Sequence, residues 1–416
     1  MLKILSNPAQ IVTVDTKGMN FKKGNSLKEL GIIHDHSVII EDKIIKDFIT
    51  NSEVEKLKSK TDDIIDIKDK VLLPGLVECH THSAFTGSRS NEFREKLNGK
   101  SYEEIAKEGG GINTTVQSVR NSSSEDIFNN TLKTINYFIS QGITTIEIKS
   151  GYGLDFENEI KLLKVINNLK NSCSIDIIPT FLGAHTYPVK YKQKHELYTD
   201  EINNKMLPYI AENKLADSCD GFCESTAFSA GEIDIIFSRA RELGFNLRIH
   251  TEQFNNIGGL EVALKHNAVS VDHLEVLTGD QIDLFKGKDV VCVLLPGVSF
   301  FLNYQYGPAR KLIDNNLVIA LSTDYNPGSS PISNLHLIMS LAALKMNMTI
   351  EETISAVTIN AAKVLKLNDK TGSIEIGKYA DFAVFDTADY SDIVYNISRN
   401  LNCMTIKKGE IIYQVQ

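Results

Sequence analysis

No stretch of the 416-residue chain is apolar for long enough to cross a bilayer, and its opening residues, MLKILSNPAQIVTVD, hold no hydrophobic run of signal-peptide length. The expectation is a cytoplasmic protein without a membrane partner. The chain also lacks a basic excess. Its net charge is −9 and no concentrated basic face is visible, so nucleic acid is not an expected partner. A small anionic ligand remains compatible, provided that the cation holding it is locally placed. Paired cysteine spacing is missing as well. The six cysteines, at 79, 173, 219, 223, 292 and 403, include no CxxC pair and read as small reduced residues. There is no internal repeat, no low-complexity segment, and no Gly-rich phosphate turn after the first apolar strand.

What is present suits a large core. Apolar residues make up 42% and charged residues 23% of the chain, and its length calls for one large domain and a smaller one. Both ends read as short strands and turns: QIVTVD, HSVIIEDKIIKDFI and DIIDI before residue 70, then GSIEIGKYADFAVFD and MTIKKGEIIYQV after residue 370. The middle holds eight apolar runs, GLVEC, ITTIEI, SIDIIPTFL, CDGFC, NLRIH, AVSVDH, VVCVLL and LVIALS, with helical stretches between most of them. In EDIFNNTLKTINYFISQ the residues Phe128, Leu132, Ile135 and Phe138/Ile139 share one face. In DFENEIKLLKVINNLKN the residues Phe156, Ile160, Leu163 and Ile166 do the same. Repeated strand–helix alternation predicts a (β/α)₈ barrel over residues 71–366. Residues 1–70 and 367–416 are then expected to form a small β-sandwich from both termini. A doubly wound open sheet is the alternative, but it needs a Gly-rich turn where this chain has ECHTHS.

A barrel of this kind builds its site at the carboxyl ends of its strands. Five of the ten histidines, 80, 82, 185, 250 and 273, follow an apolar run at such an end, as does Asp324. Strand side chains alternate faces, so His80 and His82 point the same way, into the barrel. HxH alone more often marks two hydrogen-bonded histidines than a metal site. Followed by His250 and Asp324 at later strand ends, it reads as a mononuclear N/N/N/O metal site with a position left for water.

The motifs PGLVECHTHSAFTGSR, EIKSGYGL, FLGAH, HTEQ, VDHLE and STDYNPGS together resemble imidazolonepropionases of the amidohydrolase superfamily. The ending AAKVLKLNDKTGSIEIGKYADFAVFD is similar to the sandwich domain of that superfamily. The resemblance implies a barrel beside a β-sandwich, and one divalent ion, zinc or iron, on His80, His82, His250 and Asp324. It implies hydrolysis of 4-imidazolone-5-propanoate, a small anionic substrate, to N-formimidoyl-glutamate, and it suggests a homodimer. Asp324 is then expected to carry the water proton to the leaving nitrogen as well. His273 and His185 are expected beside the scissile carbonyl as hydrogen-bond donors or proton carriers near their natural titration range. The Arg89 fork suits the propionate tail. Tyr152, and with less support Tyr102, would reach the tail or the ring. Asn326, Gly328 and Ser329 would offer amide and backbone donors, a role compatible with turn formation.

Gln253 stands where superfamily deaminases and some sequences similar to imidazolonepropionases carry Glu. It cannot shuttle protons and is expected to orient the substrate. Glu252 would face the site only if the strand were slipped by one residue. Lys149 reads as a structural lysine, not as a carboxylated bridge between two metals. The segment 84–124, with KEGGGINTT, is too long for an ordinary βα loop and suggests a lid. Two competing functions stay open: another one-metal enzyme, such as an aminoimidazole or nucleobase deaminase, and a non-catalytic barrel scaffold.

Overall fold

The eight apolar runs become eight strands: β1 (Leu76–Glu78), β2 (Ile143–Lys149), β3 (Asp176–Ala184), β4 (Ser218–Cys223), β5 (Asn246–Thr251), β6 (Ser270–His273), β7 (Val291–Leu294) and β8 (Val318–Leu321). They pair parallel, each with its neighbour in the chain, in one eight-stranded sheet. All seven residues of β2 are buried, and so are all four of β6, β7 and β8. Strands covered on both faces need no polar alternation, which is why these segments read as continuous apolar runs. The computed structural model describes residues 2–57, 61, 63–100, 110–397 and 399–415.

The sheet curls until its first and last strands meet. They join just beyond β1 and β8 through a parallel bridge, Thr81–Tyr325, in which His82 N donates to Tyr325 O at 3.0 Å. Below that bridge the buried carboxyl of Glu78 stitches the seam. It accepts from Ser322 Oγ and, at 3.2 Å, from Thr323 N. Burial pushes the Glu78 carboxyl up to about 8. The architecture is the expected (β/α)₈ barrel.

Helices cover the barrel. Ser123 caps the helix Ser124–Ile139 by accepting from Asp126 N, and Asp155 caps Phe156–Ser172 by accepting from Asn158 N. In the first of these the deepest stripe is Ile127, Thr131, Ile135, Phe138 and Ile139. The expected Phe128 and Leu132 only flank it, half-buried. The true face is rotated by one residue because Thr131 turns inward, its hydroxyl satisfied by Ile127 O at 2.8 Å, and a polar residue there hides the stripe. In the second helix Ile160, Leu163 and Ile166 are buried as expected, while Phe156, at its first position, is half-buried.

Both termini build the remaining sheets. One has four strands, Ile44–Thr50, His36–Glu41, Leu2–Ser6 and Ile64–Asp66, in that order. The other has six: Glu410–Gln414, Asn402–Lys407, Phe382–Phe385, Val71–Pro74, Gln10–Val12 and Ile32–Ile33. Leu5, Ile11, Val38, Leu72, Phe382 and Ile406 share a separate buried cluster contributed by both sheets. The run GSIEI near the C-terminus forms no strand: Ile374 N donates to Thr13 O at 2.7 Å, outside any ladder. The segment 84–124 is not a bare loop either. It carries helices Ser90–Leu97 and Ile112–Asn121, and residues 101–109, with Tyr102, lie outside the described residues.

Candidate metal centre

His80 and His82 follow β1, His250 ends β5, and Asp324 follows β8. The curl of the sheet brings them together, all four buried, with one donor atom from each lying within 4.8 Å of the others. His80 Nε2 is 3.3 Å and His82 Nε2 3.2 Å from Asp324 Oδ1, and His250 Nε2 is 3.2 Å from His82 Nε2. The far sides of two rings are fixed. His80 Nδ1 donates to Asp272 Oδ2 at 2.6 Å, and His250 Nδ1 donates to Asp220 Oδ1 at 3.0 Å. An ionised carboxylate can only accept, so each ring carries a proton on Nδ1 toward its carboxylate and turns Nε2 toward the cluster. Burial, outweighing Asp220, holds His250 well below its ordinary value, so its imidazole is neutral.

Lone pairs and a carboxylate oxygen converge here with too few protons among them. His80 Nε2 and Asp324 Oδ1 are buried without a hydrogen-bond partner among the described residues. Such a group is costly unless a cation occupies the centre. The size is compatible: four ligands held at 2.0–2.1 Å in a tetrahedron stand about 3.3 Å apart, close to the three separations above, with every pair within 4.8 Å. These residues fit one divalent ion.

Around the cluster, the His273 ring centroid lies 6.0 Å from that of His80 and 5.4 Å from that of His250. Its φ of +89° is rare for a side-chain-bearing residue, and Glu252 and Asp324, each near a strand end, also have positive φ, +50°. Burial depresses His273, but Glu275, 3.4 Å from its Nδ1, outweighs this and raises it. His185 stacks 5.1 Å from His82 and donates from Nδ1 to Gly151 O at 2.9 Å. Burial pushes it down to about 3, away from the titration range expected of it, so its free Nε2 is an acceptor. Tyr152 is buried 6.0 Å from His82 and 5.4 Å from His185 by ring centroids.

Arg89 donates from Nε to Glu92 Oε2 at 2.9 Å and lays its guanidinium against Gly328, where a Cβ would collide with Nη1. Asn326 builds the turn beneath. Its Oδ1 accepts from Gly328 N at 2.8 Å and Ser329 N at 2.7 Å, and its Nδ2 donates to Asp324 O at 2.7 Å. Those two backbone donors are therefore already engaged. Gln253 is buried and makes no hydrogen bond with any described residue. Glu252 is not brought to the cluster: its carboxylate takes Thr251 Oγ1 and, at 3.2 Å, Gln281 Nε2. Lys149 bridges Glu147 at 2.7 Å and Asp220 at 2.8 Å, as a structural lysine should.

A model of the amidohydrolase family matches residues 71–412. The imidazolonepropionase of Caldanaerobacter subterraneus is 45% identical over 83% of this chain and 83% of its own. That of Flavobacterium johnsoniae is 39% identical over 99% and 100%. This chain belongs to the imidazolonepropionase family of amidohydrolases. Solved structures share the fold at low identity. An adenosine deaminase from Xanthomonas campestris with bound zinc has a TM-score of 0.70 at 15% identity, covering 99% of this chain and 92% of its own. Guanine deaminase from E. coli has 0.71 at 14%, covering all of both.

In this member of the imidazolonepropionase family, the residues that hold the site residues in place have roles that are not evident from the sequence. Asp220, on β4, fixes His250. Glu92 ties Arg89 to the helix Ile112–Asn121 through Thr114 Oγ1 at 2.7 Å and Gly111 N at 3.2 Å. Glu159 shapes the Tyr152 turn by accepting from Gly151, Gly153 and Leu154 N, at 3.1, 2.7 and 2.9 Å. Glu224 accepts from Phe254 N and Asn255 N at 2.8 and 2.9 Å, which fixes the backbone beside Gln253. Asp220 had one legible signal: a charged residue inside the buried strand CDGFC.

Proposed function

We propose that the chain hydrolyses the cyclic amide of 4-imidazolone-5-propanoate to N-formimidoyl-L-glutamate, with His80, His82, His250 and Asp324 holding one divalent ion, zinc or iron. The observation that carries this reading is the cluster itself, three imidazoles and a carboxylate converging at the strand ends of a barrel. An ion so held lowers the pKa of water from about 15.7 to roughly 7 and polarises a carbonyl. Imidazole and carboxylate donors suit both metals.

The remaining chemistry belongs to side chains. Water adds its oxygen to the ring carbonyl carbon, the carbon–nitrogen bond breaks, and the water proton must reach the departing nitrogen. Asp324 takes that proton at its free carboxylate oxygen and returns it to the nitrogen. His273, held by Glu275 in its raised state, donates to the developing oxyanion. The neutral His185 accepts a ring N–H at Nε2, and the Tyr152 hydroxyl faces the same ring. Gln253 orients the ring with its unengaged amide. Arg89 takes the propionate with the nitrogens that Glu92 leaves free, and Gly328 gives the guanidinium room to lie flat. Asn326 and Ser329 keep the Asp324 turn in shape. The same reading puts the enzyme in the cytoplasm, with the barrel flanked by sandwich segments from both termini, the strand Val71–Pro74 belonging with the N-terminal one and not, as expected from the sequence, with the barrel.

Metal analysis coupled to an assay of imidazolone loss tests the proposal. One equivalent of zinc or iron and loss of the imidazolone absorbance are expected. Ammonia release from guanine or cytosine, with no imidazolone turnover, would replace it with the deaminase reading. A protein that binds no divalent metal would instead be a scaffold.

A further inference from the structure

Beneath the metal cluster, five fully buried charged side chains form one unbroken chain between its two fixed rings. Asp272, which holds His80, also takes Arg248 Nη2 at 2.8 Å. Arg248 Nη1 lies 3.2 Å from Glu147 Oε1. Lys149 Nζ donates to that same oxygen at 2.7 Å and to Asp220 Oδ2 at 2.8 Å. Asp220 then holds His250. None of the five exposes more than 1% of its side chain. Glu147 is the centre of the chain: among the described residues it alone contacts both cations, accepting a hydrogen bond from Lys149 and ion-pairing with Arg248, whose Nη1 makes no hydrogen bond. The other oxygen of Glu147, Oε2, accepts at 3.1 Å from Thr81 N, the peptide between His80 and His82.

The charges have a consequence. Asp272, Glu147, Asp220 and Asp324 supply four carboxylates, and Arg248 and Lys149 supply two cations, so the buried set is short of two positive charges. That deficit is the charge of one divalent ion. Buried charges are tolerated only when paired, so the deficit favours a doubly charged guest over a monovalent one. Without Glu147, Arg248 and Lys149 would each lose a partner while still drawing on Asp272 and Asp220, and both histidine anchors would loosen together.

We infer that Glu147, which touches neither the cluster nor the substrate, is a positioning residue. It couples the two histidine anchors and the HxH backbone into a single frame and so sets the affinity of the site for divalent metal. The inference rests on the reading of the cluster as a metal site, and the experiment separates the two. Zinc affinity is measured on the full-length apo-protein by competition with a chromophoric chelator, for wild type and Glu147→Gln, after circular dichroism has established folding. Removing outer partners of metal ligands costs about 10- to 100-fold in affinity, and a loss of at least tenfold is expected here. Glu147→Asp keeps the charge and should recover part of that loss. Should Glu147→Gln fail to fold, Glu147→Gln/Lys149→Met removes a buried cation together with the carboxylate and takes its place, with the same loss expected. A folded variant that holds zinc within twofold of wild type overturns the role of Glu147. A wild-type protein that binds no zinc overturns the metal site beneath it.

Discussion

Replacing Gly328 by alanine adds one methyl group, and the structure says where it goes. The new Cβ would collide with Nη1 of Arg89 and stand 3.4 Å from Asn326 Oδ1, an ordinary contact. Gly328 has no left-handed backbone, so alanine brings no backbone strain, and its N–H keeps its bond to Asn326 Oδ1. The guanidinium, anchored at Nε by Glu92, must therefore swing aside by about 1 Å or give up its place over the turn. A misplacement of that size can cost on the order of 10²-fold in catalysis. A lost charge-assisted bond is worth about 1.5–3 kcal/mol, or roughly 10- to 150-fold. Both routes predict a fall of 10- to 100-fold or so in kcat/KM for 4-imidazolone-5-propanoate, carried by KM, with the melting temperature unchanged. Steady-state kinetics of Gly328→Ala, Arg89→Ala and the double variant decide the matter. If the methyl acts through the guanidinium, the double variant is no worse than Arg89→Ala alone. Losses that multiply would show that Gly328 serves the site by some other route, and the placement of Arg89 over it would have to be abandoned.

Four further outcomes are expected. Asp220→Asn and Asp272→Asn each weaken zinc binding by about 10- to 100-fold, because the amide can present a donor to Nδ1 and turn the tautomer over; chelator competition reads this, and unchanged affinity would mean that the ring orientation is set elsewhere. His273→Gln lowers kcat by about 10²- to 10⁴-fold with little change in KM, and a purely KM effect in steady-state assays would move His273 from chemistry to binding. Dialysis against a chelator abolishes turnover, and one equivalent of zinc or iron(II) restores it; activity that survives metal removal counts against the centre. Far from the site, burial holds His336 down to about 4, with its Nε2 donating to Gln141 O at 3.0 Å. Between about pH 6.5 and 4 the unfolded chain takes up a proton that the native protein refuses. Stability is therefore lost as pH falls through that window, by roughly 3 kcal/mol in all. Denaturant melts of His336→Gln should lack that part of the acid limb, and an unaltered limb would assign it to other groups.

The eight barrel strands were readable because each is buried on both faces and bounded by polar turns, a pattern that local sequence carries whole. The ligands were readable for a related reason. A strand fixes the direction of its end residues, so histidines at 80, 82 and 250 and an aspartate at 324 predict one meeting point once the barrel is assumed. What sequence concealed depends on contacts between distant segments. Nothing near Glu92 says that it will hold Arg89 with one oxygen and the start of another helix with the other. Nothing in LDFENEI says that Glu159 will cradle the backbone of the Tyr152 turn. The strand Leu2–Ser6 escaped because its pairing partners, Val38–Glu41 and Ile64–Asp66, lie tens of residues away. Thr131 misled for the opposite reason, since a hydroxyl satisfied inside its own helix looks exposed in sequence.

The place where the barrel closes has a mechanical meaning. Among the described residues its first and last strands share no ladder; the Thr81–Tyr325 bridge, the reach of Glu78 and a contact from Ser322 Oγ to His80 O at 3.3 Å join them. His80 and His82 stand on one bank of that gap and Asp324 on the other. An ion gripped from both banks is a clasp as well as a catalyst, so stripping it should unfasten the cylinder along this one line. Amide exchange at Thr81, His82 and Tyr325 would quicken first, while the ladders on the far side of the barrel stay shut.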